Sequence, residues 1–405
     1  MSVAIDFGDP VVRANPYPTY AQLRQEAPVL WNGQSWLISR YDDIIGLLTD
    51  DRVSSARTES IFQVLPDDVR QELQPLRHIL GSRMLLTDPP THTRLRNLVT
   101  KAFSPRMVRE KRPRIQEICD KFVDRVIADG KMDLIADIAV PVPGWVIAEM
   151  LGVPPEDQAS FTRWGRDQVR VYDRPGTAGE RIPIMRQGQA SMVEMKAYLE
   201  EIIEARRSEP RDDLITMLVM AEEQGDRLSL DELVIMIIAL LVGGNNSTAH
   251  LIGNSILTLA RHPETLTRLR ENPELIATAI EEVLRFESPV QATSRIAREA
   301  INIGGEVIEA GQGISLLFGS ANRDECQFSN PDQLDIARRP NRHLTFAHGP
   351  HFCLGAAIAR AETQIAVQTV VRRCLDLELE SEDAEWQEGF SFRGLKTLPI
   401  RFRSA

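Results

Sequence analysis

Four cysteines among 405 residues, with no Cys-x-x-Cys pair anywhere, leave no disulfide framework, no paired zinc ligands and no attachment site for a c-type haem. A reducing compartment suits such a chain, and a cytoplasmic location is expected. Positive charge is also short: the formal net charge is -11, which argues against nucleic acid as a general partner because phosphate binding needs concentrated positive charge. The longest uninterrupted apolar run, Leu233 to Val242, has ten residues, half of the ~20 that a membrane helix needs, so no membrane partner is expected. Met1 to Asp9 has neither a basic start nor a long apolar stretch, which reads against a secretory signal. Internal repeats, low-complexity tracts and Gly/Ser-rich linkers are missing as well. With 43% hydrophobic residues the chain can bury a large core, and residues 1–405 read as a single globular domain.

What is present is mostly helical periodicity. Amphipathic spacing predicts helices over about 106–129, 188–207, 231–262, 264–286 and 356–373, with strands at Trp31 to Ile38, 300–316 and 388–403. The fold class is therefore mainly α, a helical bundle with small antiparallel β-sheets. Ser229 and Glu232 form a capping-box pattern ahead of Leu233 to Val242, which has no polar face and belongs in the interior. Gly243-Gly244-Asn245-Asn246-Ser247-Thr248 then places poor helix formers in mid-helix, predicting a bend or bulge with room for a ligand. Between Arg94 and Arg114 eight basic residues stand against one acid, Glu110. That stretch reads either as a solvated helix face or as a docking surface for an acidic electron carrier.

Cys353 follows a glycine-containing turn, precedes Gly355 by two residues, and leads into a helical pattern at Ile358, Ala361, Ile365 and Val370. A thiolate near a helix N-terminus is stabilised by free N–H groups and the helix dipole. Such a sulfur suits an axial ligand to haem iron. His343, His348, His351 and Cys353 fall within eleven residues and could in principle hold zinc, but structural zinc sites usually draw ligand pairs from separate turns. Cys119, Cys326 and Cys374 read as buried small hydrophobes.

The run Phe346-x-x-Gly349-x-x-x-Cys353-x-Gly355 resembles the haem-binding loop of the cytochrome P450 family in its soluble bacterial form. One departure is Ala347, where the family usually has glycine. The resemblance continues through Glu282-x-x-Arg285, Ala321-Asn322-Arg323-Asp324, Phe328-Ser329-Asn330-Pro331 and Asp335-Ile336-Ala337-Arg338, and runs from Asn15 to Pro399. It implies one cytochrome P450 domain holding haem b (iron protoporphyrin IX), with Cys353 as the metal ligand and Phe346, Gly349 and Gly355 shaping its loop. Glu282, Arg285 and Arg338 would support folding. His92 and Arg96, four apart after Asp88-Pro89-Pro90, would contact the haem propionates together with Arg295 and His351.

In the family the central helix crosses the oxygen-binding face, which puts Asn246 at the usual acid position, Ser247 at the usual alcohol position and Thr248 after them. Asparagine cannot titrate, so the carboxylate relay is missing here. By the same resemblance the substrate would meet Ala239, Leu240, Gly243, Gly244, Val290, Gln291, Ala292 and Phe392, with parts of Ile61 to Leu86 and Trp164 to Tyr172. The implied activity is a monooxygenase using O2 as co-substrate on a medium-sized lipophilic molecule, by hydroxylation or epoxidation. Electrons would come from a ferredoxin-type donor and its reductase, since no flavin or iron–sulfur domain is fused to this chain. The alternatives are a peroxide-using or non-oxygenating haem-thiolate enzyme, or a protein that binds haem or a ligand without turnover.

Overall fold

The computed structural model describes residues 6–172, 178–223 and 225–405, so Met1 to Ile5 of the N-terminal reading lie outside the described residues. The side chains of Val169 and Tyr172 lie outside them too. The chain resolves into two compact units, one of Met1–Val53, Glu110–Pro143 and Ser247–Ala405, the other of Ser54–Arg109 and Gly144–Asn246.

The first unit holds most of the β-structure. Its largest sheet runs in the order Val29–Trp31, Ser35–Ile38, Gly313–Leu316, Thr293–Ala297 and Val53–Ser54. The expectation of purely antiparallel sheets needs one correction, because Gly313–Leu316 pairs parallel with Ser35–Ile38, Ile314 facing Trp36. Parallel strands need a long crossover, and about two-thirds of the chain separates these two. Ile38, Ile44, Ile308, Ile314, Leu316 and Phe318 bury one face of the sheet in a continuous core. A second sheet joins Cys374–Leu379, Pro399–Ser404 and Lys131–Asp133. Of the strand expected at 388–403 only Pro399–Ser404 forms; the residues before it make a loop with isolated bridges.

The second unit is largely helical. Helices Gln158–Tyr172 and Ala178–Ser208 pack together, and buried Arg83 reaches Gln168 Oε1 at 2.8 Å. Buried Arg206 donates to Asp213 Oδ2 at 2.6 Å and to the Gly152 carbonyl at 3.2 Å, while Asp213 caps the next helix through the Thr216 N–H.

Helix Leu230–Ala260 starts with the reciprocal pair read from the sequence: Glu232 N–H donates to Ser229 Oγ at 3.2 Å, and Ser229 N–H to Glu232 Oε2 at 2.9 Å. The expected bulge does not form, because residues 230–260 are α-helical throughout. Well-buried flanks, Leu233–Ile238 before and Thr248–Leu259 after, hold the weak stretch in register, so tertiary packing outweighs propensity. This helix is long and apolar enough to cross a membrane by composition, yet 56% of its most apolar window is buried inside the fold. The helix expected over 264–286 divides into Pro263–Glu271 and Ile276–Phe286 at Asn272-Pro273, where proline cannot continue the preceding turn.

Candidate active site

The Cys353 loop is shaped by two left-handed residues. Ala347 has φ 60° and Gly349 φ 70°, and between them the chain turns back so that Cys353 N–H donates to the Phe346 carbonyl at 2.9 Å. At Gly349 a Cβ would lie 3.0 Å from the Leu48 carbonyl, so glycine is required there by a neighbouring backbone as well as by φ. At Ala347 the methyl group is accommodated against the left-handed preference of L-residues. Helix Ala356–Arg373 follows with Gly355 as its N-cap, which sets Cys353 three residues ahead of the first helical turn. A Cβ on Gly355 would touch only Ile358, at 3.7 Å.

Cys353 is half-buried, unlike Cys119 and Cys374, which sit in the core. Burial pushes the Cys374 thiol up to about 12 and that of Cys119 well above the usual range, leaving both as neutral apolar groups. Cys326 corrects the sequence reading: it is exposed, in a turn where its N–H donates to Asp324 Oδ1 at 2.9 Å.

Two acids support this loop from the adjacent helix Ile276–Phe286. Half-buried Glu281 accepts from Arg360 Nε and Nη2 at 2.6 and 2.8 Å and lies 3.2 Å from His343 Nε2. Burial alone would raise the Glu281 carboxyl; the hydrogen bonds and charge of His343 and Arg360 overcome it and hold the group at about 2. Arg360 in turn lies 4.5 Å over the Phe346 ring. One residue on, fully buried Glu282 takes a bidentate fork from Arg285 at 2.7 and 2.9 Å, and Arg338 Nε at 3.1 Å. Arg285 directs its other N–H groups to the carbonyls of Asn322, Pro331 and Gln333, so the pair anchors the polypeptide leading into the loop.

The four residues expected to meet carboxylates fall in both units. Arg295 is buried on strand Thr293–Ala297, with Nη1 on the Ser294 carbonyl at 2.8 Å, and His351 closes the short turn Gly349–His351. In the other unit, His92 and Arg96 share helix Thr91–Thr100. His92 is buried, and burial together with the Arg96 charge lowers its basicity below that of ordinary histidine. Of the basic stretch around them, Arg94 is paired with Asp226 and Glu232, and Arg114 with Glu117. His343 is taken up by Glu281 and His348 is exposed; among the described residues no group of three metal-ligating side chains converges.

Along the central helix, burial breaks in the middle. Leu233–Ile238 and Leu241 are buried, Ala239, Leu240, Val242, Gly244, Asn245, Asn246 and Ser247 are half-buried, Gly243 is exposed, and continuous burial resumes at Thr248. A Cβ on Gly243 would meet nothing within 4 Å, and one on Gly244 only Ile147 at 4.0 Å. Of the residues named for oxygen and substrate, Ala239, Leu240, Gly243, Gly244, Asn246 and Ser247 lie on this less buried stretch, whereas Thr248 is buried and Val290, Gln291, Ala292 and Phe392 lie elsewhere in the chain.

In the first unit, Val290 and Phe392 pair in an isolated antiparallel bridge, with Phe392 exposed. Gln291 is committed elsewhere: its Oε1 accepts from Tyr20 at 3.0 Å and its Nε2 donates to the Ser288 carbonyl at 2.8 Å. Ala292 packs in the core with Tyr20, Leu37 and Leu317. Sequence reasoning missed His250, Asn254 and Arg393, all buried in this unit. Burial drops the His250 ring to about 4, so it is neutral at physiological pH.

The family profile described as Cytochrome P450 matches residues 180–399. Cytochrome P450 107B1 of Saccharopolyspora erythraea is 43% identical over 94% of each chain. The Biotin biosynthesis cytochrome P450 of Bacillus subtilis is 38% identical over 99% of this chain and 100% of its own. Among solved structures, P450BioI in complex with hexadec-9Z-enoic acid ligated acyl carrier protein superposes with a TM-score of 0.89 at 37% identity, covering 97% of this chain and 99% of that one.

Proposed function

The chain belongs to the cytochrome P450 family and is a monooxygenase that uses haem b and O2, and from that premise we propose that it inserts one oxygen atom into a medium-sized lipophilic substrate with electrons from a separate ferredoxin-type carrier. The donor set supports haem at Cys353. In the first unit a single half-buried thiol stands before a helix, Gly355 itself carries no side chain, and Arg295 and His351 are donors of the kind a propionate needs; His92 and Arg96, in the other unit, have the same donor chemistry. When bound, the cofactor supplies activation of O2, with thiolate ligation favouring O–O cleavage.

The observation that carries the substrate reading is the open stretch of the central helix. Apolar or very small residues, Ala239, Leu240, Gly243 and Gly244, occupy it, which suits an apolar ligand with few polar anchors. Within the first unit Val290 and Phe392 form the apolar bridge read as a substrate wall, and Gln291 and Ala292 hold it in place rather than offering free polar groups.

Proton supply is where this chain departs from its family. Asn246 donates and accepts hydrogen bonds but does not titrate, so it orients water without releasing a proton. Ser247 keeps a hydroxyl, less constrained than threonine's because it lacks the second branch at Cβ. Thr248 is buried on the following position. Protons then come by another route, through a hydroxyl of the substrate, and electron use depends on which substrate is bound.

The test is reconstitution. Purified protein with a ferredoxin, its reductase and NADPH is screened against lipophilic compounds, free and carrier-bound long acyl chains included because P450BioI was solved with one. Product formed only with the electron-transfer proteins supports the reading. Product formed equally from hydrogen peroxide alone would favour a peroxide-driven enzyme, and specific binding with no product under either condition would leave a binding protein.

A further inference from the structure

The segment carrying Phe392 is gripped from three directions within its own unit. From the central helix, buried Asn254 donates through Nδ2 to the Glu287 carbonyl at 3.1 Å and to the Arg393 carbonyl at 3.0 Å. Through the backbone, Gln291 N–H donates to the Ser391 carbonyl at 2.8 Å and Arg393 N–H to the Pro289 carbonyl at 3.0 Å. Through its guanidinium, Arg393 donates to Glu287 Oε1 at 2.5 Å, to the Arg13 carbonyl at 2.6 Å and to the Ala14 carbonyl at 3.0 Å, while lying 3.4 Å over the Trp386 ring.

Each part is chemically specific. The Asn254 amide has two N–H donors, one for each carbonyl, whereas aspartate at 254 would set carboxylate oxygens against them. A planar guanidinium can serve a carboxylate and two carbonyls in one plane; an ammonium of lysine cannot reproduce that fork. Next along the chain, a Cβ on Gly394 would collide with His250 Nδ1, so the missing side chain lets the helix's histidine lie directly on this segment.

Resting on the reading of Val290 and Phe392 as a substrate wall, we propose that Asn254 and Arg393 are positioning residues that lock this wall to the central helix two turns beyond Ser247. A buried arginine and a buried amide are costly ways to fill a core, and apolar residues of similar volume would pack as well. Their pairing instead fixes the wall in three directions. A substrate pressing on Phe392 therefore loads the same helix that presents Ser247, which gives a physical route for substrate shape to influence electron use. Glu287 is shared by both clamps, its carbonyl taken by Asn254 and its carboxylate by Arg393 and by the Tyr17 hydroxyl at 2.8 Å.

The test uses the haem-loaded protein and the variants Asn254→Asp, Asn254→Ala, Arg393→Gln and Arg393→Lys, with two azole probes. Imidazole is small enough to report only the metal; clotrimazole must also fit against the walls. The clamp predicts that clotrimazole affinity falls about tenfold in Asn254→Asp and Arg393→Gln with imidazole affinity unchanged. Arg393→Lys should restore little. Hydrogen exchange should quicken at the amides of Gln291 and Arg393 while the Cys353 amide keeps its protection. Should Arg393→Gln fail to fold, Asn254→Ala carries the same expectation with a smaller change. Unchanged clotrimazole affinity, an equal fall for both probes, or exchange that quickens equally at Cys353 would each overturn the proposal. Failure of the wild-type protein to bind imidazole would instead sink the haem reading, and the exchange comparison would still decide the clamp.

Discussion

Around Cys353 the chain is fixed by two acids with their arginines, two left-handed residues and a ring held under a guanidinium. Between Ala239 and Ser247 the helix instead offers two glycines, small side chains and half-exposed positions. The first region commits its side chains to fixed partners; the second is lined by smaller and less buried residues. Buried ionic networks hold one geometry because breaking them is strongly destabilising, while glycines and small side chains fill little space.

The comparison is broken most completely by Cys353→Ala. The reduced carbonyl complex should lose its strongly red-shifted Soret band entirely, whereas alanine at Cys119, Cys326 or Cys374 should leave the band in place; an imidazole-like spectrum in the unaltered protein would overturn the thiolate assignment. Next, Glu282→Ala strands two guanidiniums, one of them fully buried, and should cost about 3–5 kcal/mol, read as lost soluble haem-loaded protein and a lower unfolding temperature. A normal unfolding temperature would mean that the network does not support the loop.

Acid sharpens the same contrast. The Glu281 carboxyl titrates near 2 when folded, against 4.5 for the free group, so between those values the unfolded chain binds the extra proton. Its contribution is full above about pH 4.5 and disappears as pH falls towards 2, amounting to at most about 3 kcal/mol. Arg360→Gln should flatten that part of the stability curve measured by denaturant titration at each pH.

On the open side the effects should fall on chemistry. Ser247→Ala should release several-fold more peroxide per product, and Asn246→Asp should improve electron use on poor substrates, with little change in unfolding temperature for either. Unchanged coupling in Ser247→Ala across several substrates would move the role to Thr248 or to the substrate. The smallest effect belongs to Ala347→Gly. Relief of the left-handed penalty, roughly 1–2 kcal/mol, less the freedom a glycine adds to the unfolded chain, leaves a gain of about 0.5–1 kcal/mol. A calorimetric rise of a few degrees at most should record it.

The sequence announces the cysteine loop because its parts are contiguous: Phe346, Gly349, Cys353 and Gly355 stand within ten residues and lead directly into a helix. Likewise the Ser229–Glu232 cap and the helix 356–373 need only local spacing. Asn254 and Arg393 gave no such signal, since their bond joins residues 139 apart and neither belongs to a periodic pattern. The parallel strand pair was hidden for the same reason. At Gly243–Thr248 local propensity pointed to a bulge, and the packing of both flanks prevented it.

The reach of Arg393 back to Arg13 spans 380 residues, among the longest loops this chain can close. During synthesis at about 5–20 residues per second, residues 13 and 14 must wait roughly 20 to 80 seconds for their partner to be made. Tyr17 also waits, for the arginine that stacks on it from position 323 and for the carboxylate at 287. The N-terminal aromatic residues are therefore exposed through most of translation. The segment bearing Phe392 cannot close through Arg393 until 55 residues after Arg338, so both arginines of the Glu282 network are made before it.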